Sequence, residues 1–212
     1  MLGQIDYINL LPFHVFLKKY NSYYTTKKAY PAKINQLFDK KVINAAFISS
    51  IKSKNKICLD AGIIAEKKVL SVLVCNGENK DDIESNTSNV LAKILKQNGE
   101  VLIGDKALKR YYENNNCKDL SKLWYEKYNL PFVFARFCIN KNKKEYQKMI
   151  KLFLNKKIYI PNYILNKYSK KTGVSKKHIK EYLKLISYNM GYKEKKSLKK
   201  FLKLSKSLIQ SK

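Results

Sequence analysis

The sequence predicts an α/β fold, and the first fifty residues carry that prediction. Short apolar runs of strand length, at residues 5–8, 23–25 and 42–47, alternate with two helical patterns. The second helix opens at Pro31, a position in the first turn where the missing N–H would be unpaired in any case. This β-α-β-α-β order favours a parallel sheet with right-handed crossovers.

The first strand lies in the stretch GQIDYINLLPFHVF, residues 3–16. Asn9 directly follows the apolar residues of this strand, and Pro12 then permits a helix to start. In open α/β sheets, ligands bind beyond the carboxyl ends of the strands. We therefore predict that Asn9 faces a ligand; the alternative is that Asn9 only caps a turn.

Two adjacent hydroxyls, Ser49 and Ser50, stand at the end of the third strand. Hydroxyls and N–H groups at the start of a helix can bind an anion. The same residues can also simply cap the segment that follows. The sequence leaves both interpretations open.

Two further strands are predicted at residues 58–65 and 69–75. Ser71 interrupts the apolar run VLSVLVC, and a buried hydroxyl there needs a partner or a ligand. Thr87 and Ser88 precede an amphipathic helix pattern and are predicted to cap it.

Gly104 and Asp105 follow another strand, at residues 101–103. Glycine would let the backbone approach a ligand closely. Asp105 could face that ligand or cap the next helix. A further helix is predicted around Trp124.

The apolar strand at residues 132–137 is predicted to pair with the strand at 69–75, and the two would cross between two lobes. Lobe I would hold residues 1–70 and 178–212, and lobe II residues 71–177, with a cleft between them. Helices are predicted in the Lys-rich remainder at residues 143–154, 161–170, 175–187 and 193–209.

The chain is strongly basic: 44 Lys and Arg against 16 Asp and Glu give a net charge of +28. Nucleic-acid binding is one explanation for such a charge. However, Arg110 and Arg136 are the only arginines, and arginine is the residue that reads bases bidentately. Because the lysines are dispersed along helical patterns, we expect no nucleic-acid partner and keep this class as a remote alternative.

The four cysteines form no C-x-x-C pair and no His/Cys cluster with metal spacing. Cys58, Cys75 and Cys138 lie in apolar runs and are interpreted as core residues, although the even count permits disulfides. We expect no metal and no cofactor. We also expect a cytoplasmic protein with no membrane partner, because no signal-peptide pattern and no apolar run of transmembrane length is present.

Six segments, in this order, carry a resemblance to a known family: GQIDYINLLPF, INAAFISS, GIIAEKKVLSVLV, NTSNVLAKIL, LIGDKAL and LSKLWYEKYNLPFVFARF. Together they resemble the chorismate dehydratase family of the futalosine route to menaquinone, over residues 3–137 and more weakly beyond. The resemblance implies a two-lobed, type II periplasmic-binding-protein-like fold with a cleft between the lobes and a helical C-terminal segment. It also implies a hydro-lyase that converts chorismate to 3-(1-carboxyvinyloxy)benzoate.

The resemblance also assigns roles to the residues noted above. Asn9 and Ser71 match cleft positions that handle the reacting groups, and are the predicted catalytic residues. The predicted substrate-binding positions are Ser49, Ser50, Thr87, Ser88, Gly104 and Asp105. Two helix starts bearing hydroxyls suit the two carboxylates of chorismate.

No protein base stands out in this set, since His14 and His178 cannot be assigned to the cleft. We therefore favour a substrate-assisted elimination in which the enolpyruvyl carboxylate takes the proton. One alternative is the sister enzyme that makes 1,4-dihydroxy-6-naphthoate on the same fold, which would want a well-placed histidine. The other is a solute-binding protein without catalysis. The oligomeric state does not follow from the sequence.

Overall fold

The computed structural model describes residues 1–20, 24–114 and 116–210, and it contains two sheets. In this described part, the nine strands are β1 Leu2–Ile5, β2 Thr26–Ala29, β3 Ala45–Ser49, β4 Cys58–Ala65, β5 Val72–Cys75, β6 Glu100–Ile103, β7 Cys117–Asp119, β8 Phe132–Ile139 and β9 Ile186–Asn189. The helices there are α1 Leu11–Tyr20, α2 Pro31–Asp39, α3 Asn86–Ile94, α4 Gly104–Glu113, α5 Leu120–Tyr128, α6 Lys143–Leu154, α7 Asn162–Thr172, α8 Lys176–Leu183 and α9 Tyr192–Gln210. The predicted α/β class is confirmed.

The larger sheet has six strands in the order β2-β1-β3-β8-β4-β9. Its first three strands are parallel, as the β-α-β-α-β pattern predicted. The last three join it antiparallel, so the sheet is mixed. We call this sheet, with the helices that cover it, lobe I.

The smaller sheet has three antiparallel strands in the order β6-β5-β7, and it is the centre of lobe II. The chain passes from lobe I to lobe II after β4 and returns between α5 and β8. Both passages run through short connecting segments, residues 66–71 and 129–131.

The predicted pairing of residues 132–137 with 69–75 is wrong. β8 lies between β3 and β4 in lobe I, whereas β5 lies between β6 and β7 in lobe II. Both strands are almost wholly apolar because both are central in their sheets. A continuous apolar run shows that a strand is buried on two faces but not which strands flank it.

Sheet membership also bears on the boundaries of the lobes. β8 belongs to lobe I, and α6 packs there as well, with Phe153 against Phe13 and Tyr146 against Phe137. Residues 132–154 therefore do not fit the expected lobe II range of 71–177. We propose that lobe II consists of residues 72–131.

Three local features differ from the sequence-based expectations. The helix predicted at 175–187 ends at Leu183, and the edge strand β9 follows it. Ser85 rather than Thr87 or Ser88 caps α3, since the Ser85 side chain accepts from the Ser88 N–H. Of the second predicted strand, Tyr23 lies outside the described residues, and the strand itself begins at Thr26.

The cysteines are paired, which corrects their interpretation as plain core residues. Cys58 is bonded to Cys138 across β4 and β8, and Cys75 to Cys117 across β5 and β7. In each case the partners are directly opposite in the sheet register. No local pattern indicated this pairing, because the partners are 80 and 42 residues apart. Within the described residues, no helix is both long and apolar enough to span a membrane.

Candidate active site

A small cavity lies between the two lobes. From lobe I it is lined by Asn9 and Ser49, which we call the lobe I wall. From lobe II and the segment that leads into it, the cavity is lined by Ser71, Ser88 and Gly104, which we call the lobe II wall. All five residues were candidates from the sequence alone, and the fold brings them together from five separate segments.

Asn9 presents an acceptor that the fold does not use. It lies in the single 3-10 turn Ile8–Leu10 that follows β1. Its backbone carbonyl accepts a hydrogen bond from the Tyr188 hydroxyl at 2.5 Å, whereas its side-chain Oδ1 is buried and has no partner among the described residues. Because a buried acceptor without a partner is costly, this amide is better explained by a ligand than by the capping of a turn.

Ser49 is held by Asn35 of α2 through two hydrogen bonds. The Ser49 N–H donates to Asn35 Oδ1 at 3.1 Å, and Asn35 Nδ2 donates to Ser49 Oγ at 2.9 Å. The first bond fixes the orientation of the amide, so the second must run toward the hydroxyl oxygen. Ser49 Oγ is therefore an acceptor from Asn35, and its own proton is available to the cavity.

Ser88, in the first turn of α3, is arranged in the same way. Its N–H donates to Ser85 Oγ at 3.2 Å, and Ser85 Oγ donates in turn to Ser88 Oγ at 2.9 Å. The Ser88 proton is left for the cavity, close to the N-terminal end of a helix. Backbone N–H groups and the helix dipole both favour an anion at such a position.

Ser71 lies in the connecting segment that leads into β5, and its backbone is fixed on both sides. The carboxylate of Asp119 accepts from the N–H groups of Val69 and Leu70 at 2.8 and 2.7 Å. Leu70 has φ of 59°, a left-handed conformation that is unfavourable for a residue with a side chain. Such strain persists where surrounding bonds enforce it, and it is often found beside functional groups.

Gly104 closes the lobe II wall, and its conformation requires a glycine. Its φ is +66°, and a Cβ atom there would lie 2.6 Å from the Tyr7 ring. Its N–H donates to the Ser71 carbonyl at 2.8 Å. The Tyr7 ring can therefore lie flat against the start of α4, with its hydroxyl donating to Glu84 at 2.7 Å.

Three predicted substrate-binding residues are instead bonded within the fold and do not line the cavity. The Ser50 hydroxyl donates to the Val133 carbonyl at 2.6 Å. Thr87 Oγ1 accepts from the Ile51 N–H at 3.3 Å, and Asp105 accepts from the Ile8 N–H at 2.9 Å. Burial raises the pKa of the Asp105 carboxyl to about 6, although the bond from Ile8 acts in the other direction.

The cavity is small in this structure. It measures about 40 Å³, enough for a few water molecules, whereas sites for drug-sized ligands measure roughly 300–1,000 Å³. The bonds from Tyr7 to Glu84 and from Ile8 to Asp105 join lobe I to lobe II beside the cavity. A substrate can enter only when these contacts open and the walls separate.

Larger grooves exist on the outer surface. One of about 510 Å³ runs between residues 66–68, α5 and residues 184–187. Four of its ten lining residues are lysines, and it contains none of the candidate residues. The small cavity is the better candidate site because it gathers convergent polar groups that the fold holds in place.

Comparisons with known proteins identify the family of this chain. The family described as menaquinone biosynthesis matches residues 88–207. A chorismate dehydratase of Campylobacter jejuni is 48% identical over 219 residues, with 98% of each chain covered. The chain belongs to the menaquinone biosynthesis family.

Solved structures similar to this member of the menaquinone biosynthesis family establish its fold. A protein from Archaeoglobus fulgidus has a TM-score of 0.69 at 14% identity, and the alignment covers 99% of this chain and 97% of that one. The aliphatic sulphonate binding protein of Escherichia coli has a TM-score of 0.63 at 10% identity, with 99% and 87% covered. A Candida albicans protein described as having the periplasmic binding protein fold has a TM-score of 0.60 at 14% identity, with 97% and 89% covered. The predicted periplasmic-binding-protein-like fold is confirmed.

Neither histidine of this menaquinone biosynthesis family member lines the cavity. His14 is buried beside Tyr168, with Nδ1 3.3 Å from the Tyr168 hydroxyl, and burial lowers its pKa to about 3. His178 stacks on Tyr112 at the surface. The cavity is lined by hydroxyl, amide and apolar groups, with the Tyr7 phenol as its one ionisable side chain among the described residues.

Sequence reasoning missed the residues that support the walls: Tyr7, Asn35, Ser85, Tyr182 and Tyr188. Four of them contact cavity residues directly, and their partners are between 3 and 179 residues away in the chain. Only Ser85 carried a local signal, because a serine three residues before another can cap a helix.

Proposed function

We propose that this protein is a chorismate dehydratase, a hydro-lyase that converts chorismate to 3-(1-carboxyvinyloxy)benzoate in menaquinone biosynthesis by the futalosine route. The relative from Campylobacter jejuni supports the reaction. The observation that carries the proposal is the arrangement of the cavity: Ser49 and Ser88 direct hydroxyl protons into it from opposite lobes, and Asn9 presents an unused acceptor.

The hydroxyls of Ser49 and Ser88 suit the two carboxylates of chorismate. Ser49 would bind one carboxylate from the end of β3, and Ser88 would bind the other at the start of α3. Hydrogen bonds to a charged acceptor are stronger than neutral ones. Since the donors belong to different lobes, a substrate that holds both would also draw the lobes together.

Elimination of water breaks the C3–H bond and the C4–O bond of the ring, and the C–H electron pair becomes part of the new aromatic ring. The gain in aromatic stability drives the reaction, so the protein mainly has to orient the reacting groups. We propose that the enolpyruvyl carboxylate of the substrate takes the C3 proton, and that this proton and the departing hydroxide make up the water that is lost. This choice is supported by the lining of the cavity, which includes neither His14 nor His178.

Asn9 and Ser71 would hold the departing hydroxyl between them. Asn9 Oδ1 can accept the proton of the C4 hydroxyl, and the Ser71 hydroxyl can donate to its oxygen. A donor placed on a leaving oxygen stabilises the negative charge that develops there. Ser49, Ser88 and Gly104 complete the proposed site, from which we leave out Ser50, Thr87 and Asp105.

Incubation of the protein with chorismate, followed by mass spectrometry, tests the proposal. Loss of one water without release of pyruvate is the expected result. Unchanged chorismate would contradict it. Tight binding of chorismate without turnover would then favour a solute-binding protein, and turnover of the later intermediate of the route would favour the sister enzyme.

A cytoplasmic location remains part of this proposal. The two disulfides bear on it, because stable disulfides are more typical of oxidising compartments. Cell fractionation combined with alkylation of free thiols would show where the protein is and whether its cysteines are paired there. A periplasmic fraction would contradict the proposed location.

A further inference from the structure

Tyr182 is a buried phenol that reaches the cavity residue Ser71 from the C-terminal part of the chain. It lies on α8 and is 1% exposed. Its hydroxyl is 2.8 Å from Ser71 Oγ, across a sequence separation of 111 residues. Either hydroxyl could be the donor in this bond, and the surroundings decide which one is.

The acceptors near each hydroxyl differ. Within the part of the chain that the structure describes, Tyr182 has no hydrogen-bond partner other than Ser71. If Ser71 donated, the buried Tyr182 proton would have no acceptor, and a buried donor without an acceptor is costly. Ser71 faces the cavity, so its proton can be used there. The lower-energy arrangement has Tyr182 donating and Ser71 accepting.

We infer that Tyr182 is a positioning residue: its hydroxyl donates to Ser71 Oγ and thereby directs the Ser71 proton into the cavity, toward the leaving hydroxyl of the substrate. This inference rests on the proposed dehydration for the role of Ser71, but not for the direction of the bond. With it, Ser49, Ser88 and Ser71 follow one rule, since Asn35, Ser85 and Tyr182 respectively donate to them.

Two further observations support this assignment. Burial raises the pKa of the Tyr182 phenol, which favours the protonated hydroxyl that this bond requires. The neighbouring strand β9 supplies Tyr188, which donates to the Asn9 carbonyl. The α8–β9 segment therefore supports both proposed catalytic residues, one through each tyrosine.

A kinetic double-mutant cycle tests the role in catalysis. We expect Tyr182→Phe to lower kcat about tenfold with KM within about twofold, because the substrate still binds while the Ser71 proton loses its fixed direction. In a Ser71→Ala background the same change should have no further effect on kcat. Equal losses in both backgrounds would show a merely structural role and overturn the inference.

Tyr146→Phe is the matched control. Tyr146 is also 1% exposed, but it lies on α6 between Tyr24 and Phe137, away from the cavity. We expect this variant to retain the kcat of the unmodified protein. A fall in kcat as large as that of Tyr182→Phe would mean that any buried tyrosine has the effect, and would also overturn the inference.

The direction of the bond can be measured without any substrate. In a neutron structure of the deuterated protein, the deuterium of Tyr182 should lie between Tyr182 Oη and Ser71 Oγ, with the Ser71 deuterium pointing into the cavity. A Ser71 deuterium on the line to Tyr182 would refute the inference even if chorismate is turned over. If the neutron structure shows the expected geometry but the protein leaves chorismate unchanged, only the proposed dehydration is refuted.

Discussion

The two walls of the cavity are supported by different chemistry. The lobe I wall rests on neutral groups: Asn35 holds Ser49, and Tyr188 holds the Asn9 carbonyl. The lobe II wall is surrounded by buried carboxylates that accept from backbone N–H groups. Asp119 binds Val69 and Leu70, and Asp82 binds Glu84 and Ile103.

The sizes of the two sheets explain this difference. Lobe I has six strands, and its sheet is correspondingly large. Lobe II has three strands with short ladders, so several N–H groups in its connecting segments need other acceptors. A carboxylate can satisfy up to four of them at once. The lobe II wall is thus ordered by carboxylates of its own lobe. The lobe I wall rests mainly on Asn35 and Tyr188 and meets a carboxylate at Ile8, whose N–H donates to Asp105 of lobe II. The two walls should therefore respond differently to mutation and pH.

Removing one hydroxyl from each wall should have the largest effect. We expect the double variant Ser49→Ala and Ser88→Ala to raise KM at least about 100-fold, because each hydroxyl contributes roughly 1.5–3 kcal/mol to binding a carboxylate. Circular dichroism should show an unchanged fold. Steady-state kinetics of the two single variants would show whether the walls contribute equally, and an unchanged KM in the double variant would refute the carboxylate assignment.

Ser50→Ala is the control for that experiment. Ser50 neighbours Ser49 but donates to Val133, so its loss should lower stability by about 1 kcal/mol and leave KM unchanged.

Asp119→Asn should be the most destabilising single change. Asp119 Oδ1 caps α5 by accepting from Ser121 and Lys122, and Oδ2 accepts from Val69 and Leu70. Asparagine can keep the cap but replaces Oδ2 with a donor, which leaves two buried N–H groups without an acceptor. We expect a loss of roughly 2–5 kcal/mol in urea unfolding, together with lower kcat through displacement of Ser71. Unchanged stability and turnover would show that the carboxylate does not order this segment.

Asp105→Asn should change how stability depends on pH. The pKa of this carboxyl is about 6 in the folded protein, above the roughly 3.9 of an unfolded chain. As pH rises between these values, the unfolded state ionises first, so the carboxyl lowers stability by up to about 3 kcal/mol at pH 7 and above. The variant should lack that fall and keep the bond from Ile8 through its amide oxygen. Thermal melts from pH 4 to 8 measure this, and parallel curves for the two proteins would contradict it.

Asn9→Asp tests the neutral character of the lobe I wall. Asp caps turns as well as Asn does, so the change should be silent if Asn9 were only a cap. In the proposed site it adds a carboxylate beside the two of the substrate, and we expect kcat/KM to fall at least about 100-fold, or roughly 2.7 kcal/mol in transition-state stabilisation. Melting and turnover should be measured on one preparation. Normal values of both would remove Asn9 from the site.

The sequence offered a local signal for four of the five wall residues, since Asn9, Ser49, Ser88 and Gly104 stand just after a strand, at its end or at the start of a helix. It could not say which member of an adjacent pair faces the cavity. Ser49 and Ser88 face the cavity, whereas their neighbours Ser50 and Thr87 do not, since neighbouring side chains point in different directions. That choice depends on the register of strands that are distant in the chain.

The supporting contacts could not be predicted for a related reason. The bond of Tyr188 to Asn9 spans 179 residues, and that of Tyr182 to Ser71 spans 111. A tyrosine in an amphipathic helix or an edge strand has the same local pattern whether its hydroxyl meets solvent or a distant serine. Likewise, the position of β8 between β3 and β4 follows from packing across the sheet and not from its own residues.

The Cys58–Cys138 disulfide joins β4 to β8, the strands immediately before and after lobe II. All of lobe II is therefore part of a covalent ring whose closure lies in lobe I. The exposed segment at residues 76–81 lies inside this ring and also inside the smaller one closed by Cys75 and Cys117. A protease that cuts this segment once would leave a chain that migrates as a single band until the disulfides are reduced, and only then separates into two fragments.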